Sequence, residues 1–392
     1  MTDTPKEPQW FMYYPGTESI NYRWSSAMMG ILSAQPWLGS EMSEVDRVGR
    51  RLRPHLGDDE AWFREWRQLG EDTHKLARDA EAAGHQLTAA GAYLRACSYY
   101  QWGERFRIPK DELALETFRT SIECFHRFAE LTDEPEIEIV DVPCEDGTLA
   151  GLLCLPRGAR DKKWPCIVFF DGLDHTKELI YTRGVPEILR RGIGVLLIDG
   201  FGLGESIRFR GFPLRGDSEV AGSAAFDYLA ARDDVDPDRI GVMGISLGGY
   251  FAPRVASRDS RFKVCVCWAA IWDYYATWKK RIESGFTIAQ SVPGEYIKWV
   301  LQVDSYEDAL SKLEEFRMEG IAEKVTCPFL LVHGTEDKQA SLEDARLQFA
   351  AIASKNKTFR IVTEEEGGAQ HCTRDNMTLG STYIGDWLMD NL

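Results

Sequence analysis

The second half of the chain is punctuated by short runs of solidly apolar residues. "PCIVFF", "IGVLLID", "RIGVMGI", "FKVCVCWA" and "CPFLLVHG" each have a strand's length, and helix-length segments separate most of them. Apolar runs without alternation predict strands buried on both faces, hence a parallel sheet covered by helices. Two earlier runs read differently. "EIEIVDVP" alternates apolar and polar positions from Glu136, and "GTLAGLLCLP" follows it across the turn "CEDG". That pair predicts an antiparallel hairpin with one wet face. "TFRIVTE" supplies a last strand and "TLGSTYIGDWLMDNL" a closing helix. The pattern predicts an α/β fold on an eight-stranded, mostly parallel sheet.

Ahead of Glu136 the period changes. "DDEAWFREWRQLGEDTHKLARDAEAAG", "HQLTAAGAYLRACSYYQWGE" and "DELALETFRTSIECFHRFAEL" place apolar residues three and four apart, as amphipathic helices do. Residues 1–134 are expected to form a helical lid or accessory domain, rich in tryptophan (Trp10, Trp24, Trp37, Trp62, Trp66, Trp102). About fifty-five residues separate "VCVCWAA" from "CPFLLVHG", too many for a simple crossover. Their helical patterns predict a cap inserted at 271–326, leaving 135–270 and 327–392 as the sheet domain.

Composition narrows the function. A net charge of −16 over 392 residues argues against nucleic acid, whose phosphates need a basic patch, and against anionic membranes. No apolar run approaches the roughly 20 residues of a membrane helix. "MTDTPKEPQW" lacks the pattern of a secretory signal, and nine scattered cysteines in largely apolar runs fit a reduced, cytoplasmic enzyme. Cys265 and Cys267 sit in such a run and are expected in the core, not on a metal. Neither metal nor cofactor is expected. "DGFGLGES" offers Gly202 and Gly204, but Ile207 stands where a dinucleotide fingerprint needs its third glycine.

The chemistry gathers around "GISLGGY", which fits G-x-S-x-G with Gly244, Ser246 and Gly248. This pattern marks a strand-to-helix turn that exposes a nucleophilic serine. A serine hydroxyl needs a base, and the base needs an orienting acid. In a fold of this layout the order is Ser, acid, His. "LLVHGTEDKQAS" offers Asp337, with Glu336 as competitor, after the strand that follows the cap. His371 in "GGAQHC" is the one histidine beyond the last strand. His333 ends a core strand and reads as a packing residue. His175 lies in the loop after "CIVFF", near the mouth of the site. Oxyanion donors are expected at the backbone N–H of Leu247 and, from the loop "DGLDHTKE", of Leu173. Trp272, Tyr274 and Tyr275 directly follow a core strand and are candidate pocket residues.

"GISLGGYFAPRVAS", "FFDGLDHTKE", "LIDGFGLGES", the acid in "HGTED" and the late "QHC", with the helical N-terminal third, resemble the α/β-hydrolases of the FrsA-like group. Within that group the chain looks most like the 2,6-dihydroxypseudooxynicotine hydrolase and the fungal polyketide-shortening hydrolases of pigment pathways. The resemblance covers residues 20–390 approximately. It implies a metal-free serine triad, Ser246, Asp337 and His371, with Leu173 and Leu247 as the oxyanion hole. It further implies cleavage of a carbon–carbon bond next to a ketone in an aromatic or polyketide-like small molecule. It also implies an extra acidic residue, for which Asp273 in "WAAIWDYYATWKK" is the candidate. A carboxylesterase or thioesterase would use the same triad, as would an acyltransferase or cyclase. The helical N-terminal region leaves room for a homodimer.

Overall fold

The computed structural model of the chain describes residues 19–145, 147–156 and 162–392. Trp10 and the rest of the first eighteen residues lie outside them, as does position 146 in the hairpin turn. Five helices open the fold: α1 (Ser19–Leu32), α2 (Met42–Leu52), α3 (Asp59–Ala82), α4 (Gln86–Glu104) and α5 (Glu112–Leu131). Asp58 starts α3 by accepting from the N–H groups of Glu60 and Ala61, and Asp111 starts α5 by accepting from Ala114. Such caps satisfy donors that the first helical turn leaves free.

The eight strands are β1 (Glu136–Cys144), β2 (Gly147–Leu155), β3 (Trp164–Phe170), β4 (Gly194–Ile198), β5 (Val235–Ile245), β6 (Cys265–Trp268), β7 (Phe329–Gly334) and β8 (Lys357–Val362). They form one sheet in the order β1-β2-β4-β3-β5-β6-β7-β8. Only β2 runs against its neighbours; every pair from β4 to β8 is parallel. The strands predicted from apolar runs are the strands of this sheet. From β3 the chain turns to one side to make β4, then crosses to the other side to make β5. The loops leaving β3 and β5 therefore diverge, and a crevice opens at their carboxyl ends.

Helices α6 (Lys177–Tyr181), α7 (Val185–Arg190), α8 (Gly204–Arg208), α9 (Glu219–Ala230) and α10 (Gly248–Arg258) fill the crossovers up to β6. Between β6 and β7 the expected insertion contains α11 (Tyr274–Glu283), α12 (Glu295–Leu301) and α13 (Tyr306–Leu313). Helices α14 (Leu342–Ala351) and α15 (Met377–Asn391) complete the chain. Alternate residues of each inner strand serve opposite cores. Cys166, Val168 and Phe170 face the side that holds α9, α10 and the insertion. Ile167 and Phe169 face the other side, in one cluster with Ala77, Cys97 and Phe125 of the N-terminal helices. The helical N-terminal region thus shares its core with the sheet, while Trp24, Trp62, Trp66 and Trp102 form a third cluster with Leu179 of α6. Among the described residues no helix is long and apolar enough to cross a membrane.

Candidate active site

Ser246 sits on the turn between β5 and α10 with φ of 59°, a left-handed conformation that costs a non-glycine residue about 1–3 kcal/mol. The glycines around it make the turn sterically feasible. A Cβ on Gly244 would lie 2.0 Å from the Gly248 carbonyl oxygen, and one on Gly248 would lie 2.5 Å from that of Phe170. The Ser246 N–H donates to the Trp268 carbonyl of β6 at 2.9 Å, which pins the turn to the sheet.

Three segments distant in sequence meet at this turn. His371 Nε2 lies 2.8 Å from Ser246 Oγ, and His371 Nδ1 lies 2.6 Å from Asp337 Oδ2. A carboxylate only accepts, so Nδ1 carries the proton and Nε2 is free to accept from the serine hydroxyl. The other Asp337 oxygen accepts from the N–H groups of Gln339, at 2.8 Å, and Ala340, at 3.0 Å. Burial pushes the Asp337 carboxyl up, but the His371 charge and these hydrogen bonds outweigh it and hold Asp337 below the usual carboxylate range. Burial pushes His371 down, yet the charge and hydrogen bond of Asp337 win, and the imidazole lies above its ordinary value. Glu336, the competing acid, stands half-exposed beside this arrangement. Asp375 fixes the loop carrying the histidine by accepting from the N–H groups of Gly368 and Gln370, both at 2.9 Å.

The loop after β3 lies against the serine. A Cβ on Gly172 would stand 2.8 Å from Ser246 Cβ and 3.1 Å from Oγ, so backbone alone fits there. Leu173 and Leu247 are buried, and no hydrogen bond among the described residues uses either backbone N–H. Two unengaged donors beside a nucleophile can receive an oxyanion.

His175 in the same loop is more deeply set than its expected place near the mouth. It is 4% exposed, and its Nε2 lies 2.8 Å from Nη1 of Arg105, just past α4, and 2.8 Å from Nη2 of Arg183. Burial and these two guanidinium charges push the ring far below the ordinary imidazole value, so it is neutral and accepts at Nε2. Arg105 also pairs with Asp174 and donates to the Ser291 carbonyl of the insertion at 3.4 Å. Sequence periodicity could not signal this clamp, because its members lie on helix, loop and insertion.

His333 is the core residue its position suggested: Nδ1 accepts from the Ala270 N–H at 3.3 Å, and Nε2 faces the Ala340 carbonyl at 3.2 Å. Asp273, the candidate extra acid, has a structural employment. It caps α11 by accepting from the Ala276 N–H at 2.7 Å, and its other oxygen faces Arg317 Nε at 3.5 Å. Trp272 and Tyr275 are half-buried, with the Arg317 guanidinium 4.5 Å from the Tyr275 ring centre. Tyr274 is buried against Trp278 and Phe316. A surface groove of about 620 Å³ lies elsewhere; Trp37, Phe128, Tyr181 and Leu189 help line it, and no triad residue does. The candidate site is therefore marked by its hydrogen-bond geometry and not by this groove. Among the described residues no cluster of three or more His, Cys, Asp or Glu is arranged to hold a metal ion.

Comparison with known proteins agrees with this architecture. Residues 185–388 match the prolyl oligopeptidase family. The chain is 30% identical over 391 residues to the alpha/beta hydrolase gkaG of Penicillium citrinum, covering 86% of this chain and 87% of that one. It is 26% identical to the 2,6-dihydropseudooxynicotine hydrolase of Paenarthrobacter nicotinovorans, covering 90% and 89%. The solved structure of a 2,6-dihydroxy-pseudo-oxynicotine hydrolase superposes with a TM-score of 0.77 at 24% identity, over 92% of this chain and 95% of the other. With the family match spanning just over half its length and this likeness to curated hydrolases, the chain belongs to the prolyl oligopeptidase family of α/β-hydrolases and is a hydrolase of that type.

Proposed function

We propose that the chain is a serine hydrolase that cleaves a carbon–carbon bond next to a ketone in an aromatic or polyketide-like small molecule. Ser246 is the nucleophile, His371 the base and Asp337 its orienting acid, with the N–H groups of Leu173 and Leu247 as oxyanion donors. The observation that carries this reading is the hydrogen-bonded line Ser246–His371–Asp337 at a glycine-framed turn, with two unengaged donors beside it. Ser246 attacks the ketone while His371 takes its proton. The oxyanion collapses, the carbon–carbon bond breaks, and its electron pair stays with the departing carbon. That carbon leaves only if a neighbouring carbonyl or ring delocalises the pair, so the substrate is a β-diketone or an acyl-phenol. Protonated His371 returns the proton to the departing carbon. Water, deprotonated by His371, then hydrolyses the acyl-serine. The choice of bond rests on the resemblance to carbon–carbon hydrolases.

One observation favours an esterase instead. Asp273 is committed to its cap and to Arg317, which leaves carbanion stabilisation without the acid expected for it. A β-diketone and its isosteric ester, assayed side by side, separate the two readings. Turnover of the diketone at a rate comparable to the ester is expected. A fast ester and an inert diketone would retire carbon–carbon cleavage. In either case a fluorophosphonate should label wild type and leave Ser246→Ala unlabelled.

A further inference from the structure

Helix α1 touches two of the three loops that carry the triad. Tyr22, Ser26 and Gly30 stand four residues apart, so they line one face of it. At the acid loop, the Tyr22 hydroxyl accepts from Gln339 Nε2 at 3.4 Å, and Gln339 is the residue whose backbone N–H donates to Asp337 at 2.8 Å. Lys338, between Asp337 and Gln339, reaches over the same tyrosine, its Nζ 5.9 Å from the ring centre. At the histidine loop, Arg374 Nη1 donates to the Ser26 hydroxyl at 2.6 Å and to the Ser26 carbonyl at 3.2 Å. A Cβ on Gly30 would lie 3.5 Å from Arg374 Cδ and 2.8 Å from Trp102 Cη2, so helix backbone packs directly on these side chains. Tyr22, Ser26 and Arg374 are all buried.

The histidine loop needs such a hold. Cys372 and Thr373, the two residues after His371, have φ of 56° and 48°. Left-handed backbone at successive non-glycine residues is costly and persists only where the surroundings over-determine it. Thr373 is tied to the sheet, its hydroxyl accepting from Trp268 Nε1 of β6 at 3.2 Å. Arg374, next in the chain, is tied to α1. The helix is itself fixed from its other side. Arg23 donates to both oxygens of Asp59 on α3, at 2.7 and 2.6 Å, and Trp24 Nε1 donates to the same carboxylate at 3.0 Å. Charge-assisted pairs of this kind fix geometry as well as contribute energy. The Trp24 ring also packs 5.0 Å from that of Trp62. Helix α1 thus joins the N-terminal helices to the acid loop and the histidine loop at once.

We propose that α1 is a positioning element of the triad: Tyr22, acting through Gln339, and Ser26, acting through Arg374, hold Asp337 and His371 in register. The proposal rests on the serine-hydrolase reading above and extends the support of the triad into the N-terminal helical region. Tyr22, Ser26 and Arg374 are positioning residues, each acting through another. Without them the histidine loop relaxes from its strained backbone, and the imidazole drifts from the carboxylate that raises it.

The test is the rate at which a fluorophosphonate labels Ser246, followed across pH in the full-length protein. This readout needs no substrate, so it is independent of whether the enzyme breaks a carbon–carbon bond or an ester. Arg374→Met should slow labelling by about 10- to 100-fold, the scale on which a small misplacement acts. Arg374→Lys should recover part of the rate. Ser26→Ala and Tyr22→Phe each remove a single oxygen and change no charge, and they should slow labelling several-fold. Asp337 raises His371, so in these two variants the climb of rate with pH should also move to lower pH as the pair loosens. A packing role alone would lower thermal stability and leave that climb where wild type has it. Labelling at the wild-type rate in Arg374→Met, Ser26→Ala and Tyr22→Phe alike overturns the proposal, and so does slower labelling with an unmoved climb. Should Arg374→Met fail to fold, the two single-oxygen variants decide. A wild type that the fluorophosphonate does not label fails the serine-hydrolase reading and takes the proposal with it; a labelled wild type with unaffected variants fails the proposal alone.

Discussion

Asp337 and His371 shift each other, the carboxylate raising the imidazole and the imidazolium lowering the carboxyl. Only neutral His371 can take the serine proton, so kcat/KM should climb as pH rises through the histidine's transition. Because the carboxylate holds the imidazolium, that climb should lie on the alkaline side of a free imidazole. Asp337→Asn removes the charge that raises the histidine and leaves burial, which lowers it. The variant should lose most of its rate, on the order of 10³-fold or more, and its residual climb should shift to lower pH. The pH dependence of the two proteins checks this, with Glu336→Gln as the control expected to keep the wild-type profile. A wild-type profile in Asp337→Asn together with an inactive Glu336→Gln would make Glu336 the acid. The triad geometry was legible in sequence because each member follows a recognisable strand. The buried arginines were not. Arg281 reads as one more cation in "ATWKKRIE", and only the fold shows that it is enclosed while Lys279 and Lys280 are in water.

At the scale of elements, the loop after β3, which carries the proposed oxyanion donor Leu173, is braced from outside the sheet. Asp174 and His175 both meet Arg105, which in turn reaches the insertion through Ser291. On the proposed mechanism Arg105 positions Leu173 through these contacts. Arg105→Met should lower kcat by roughly 10- to 100-fold through displaced donors, the scale on which a small misplacement acts. KM should change far less. A loss expressed only as lower stability, with kcat intact, would reduce Arg105 to a packing role. The strands of the sheet were readable because apolar runs report burial on both faces directly. The brace was not, since an ion pair and hydrogen bonds joining the end of α4, a loop and the insertion leave no period in the sequence. Asp273 stands between these cases: an Asp directly ahead of a helical pattern is a cap signal, and capping is what the structure assigns it.

For the whole molecule, the shared core of α3–α5 and the sheet decides what can be removed. Residues 135–392 hold the whole triad. Yet without the N-terminal helices they would expose Tyr181, whose ring packs on Phe125 and Phe128, and Leu179, which sits in the tryptophan cluster. The truncated chain should therefore be poorly soluble, bind a hydrophobic dye and show little activity. A soluble, fully active truncation would contradict the shared core.

That same shared core has a consequence for synthesis. Leu330 and Val332 of β7 pack in the cluster that holds Ala77, Cys97 and Phe125. The early helices leave the ribosome roughly two hundred residues before that cluster is complete. At translation rates of roughly 5–20 residues per second, the cluster stays incomplete for on the order of 10–40 s. The nascent chain is then a natural client for a chaperone, and folding yield in a cell-free system should rise when a holdase is supplied during translation.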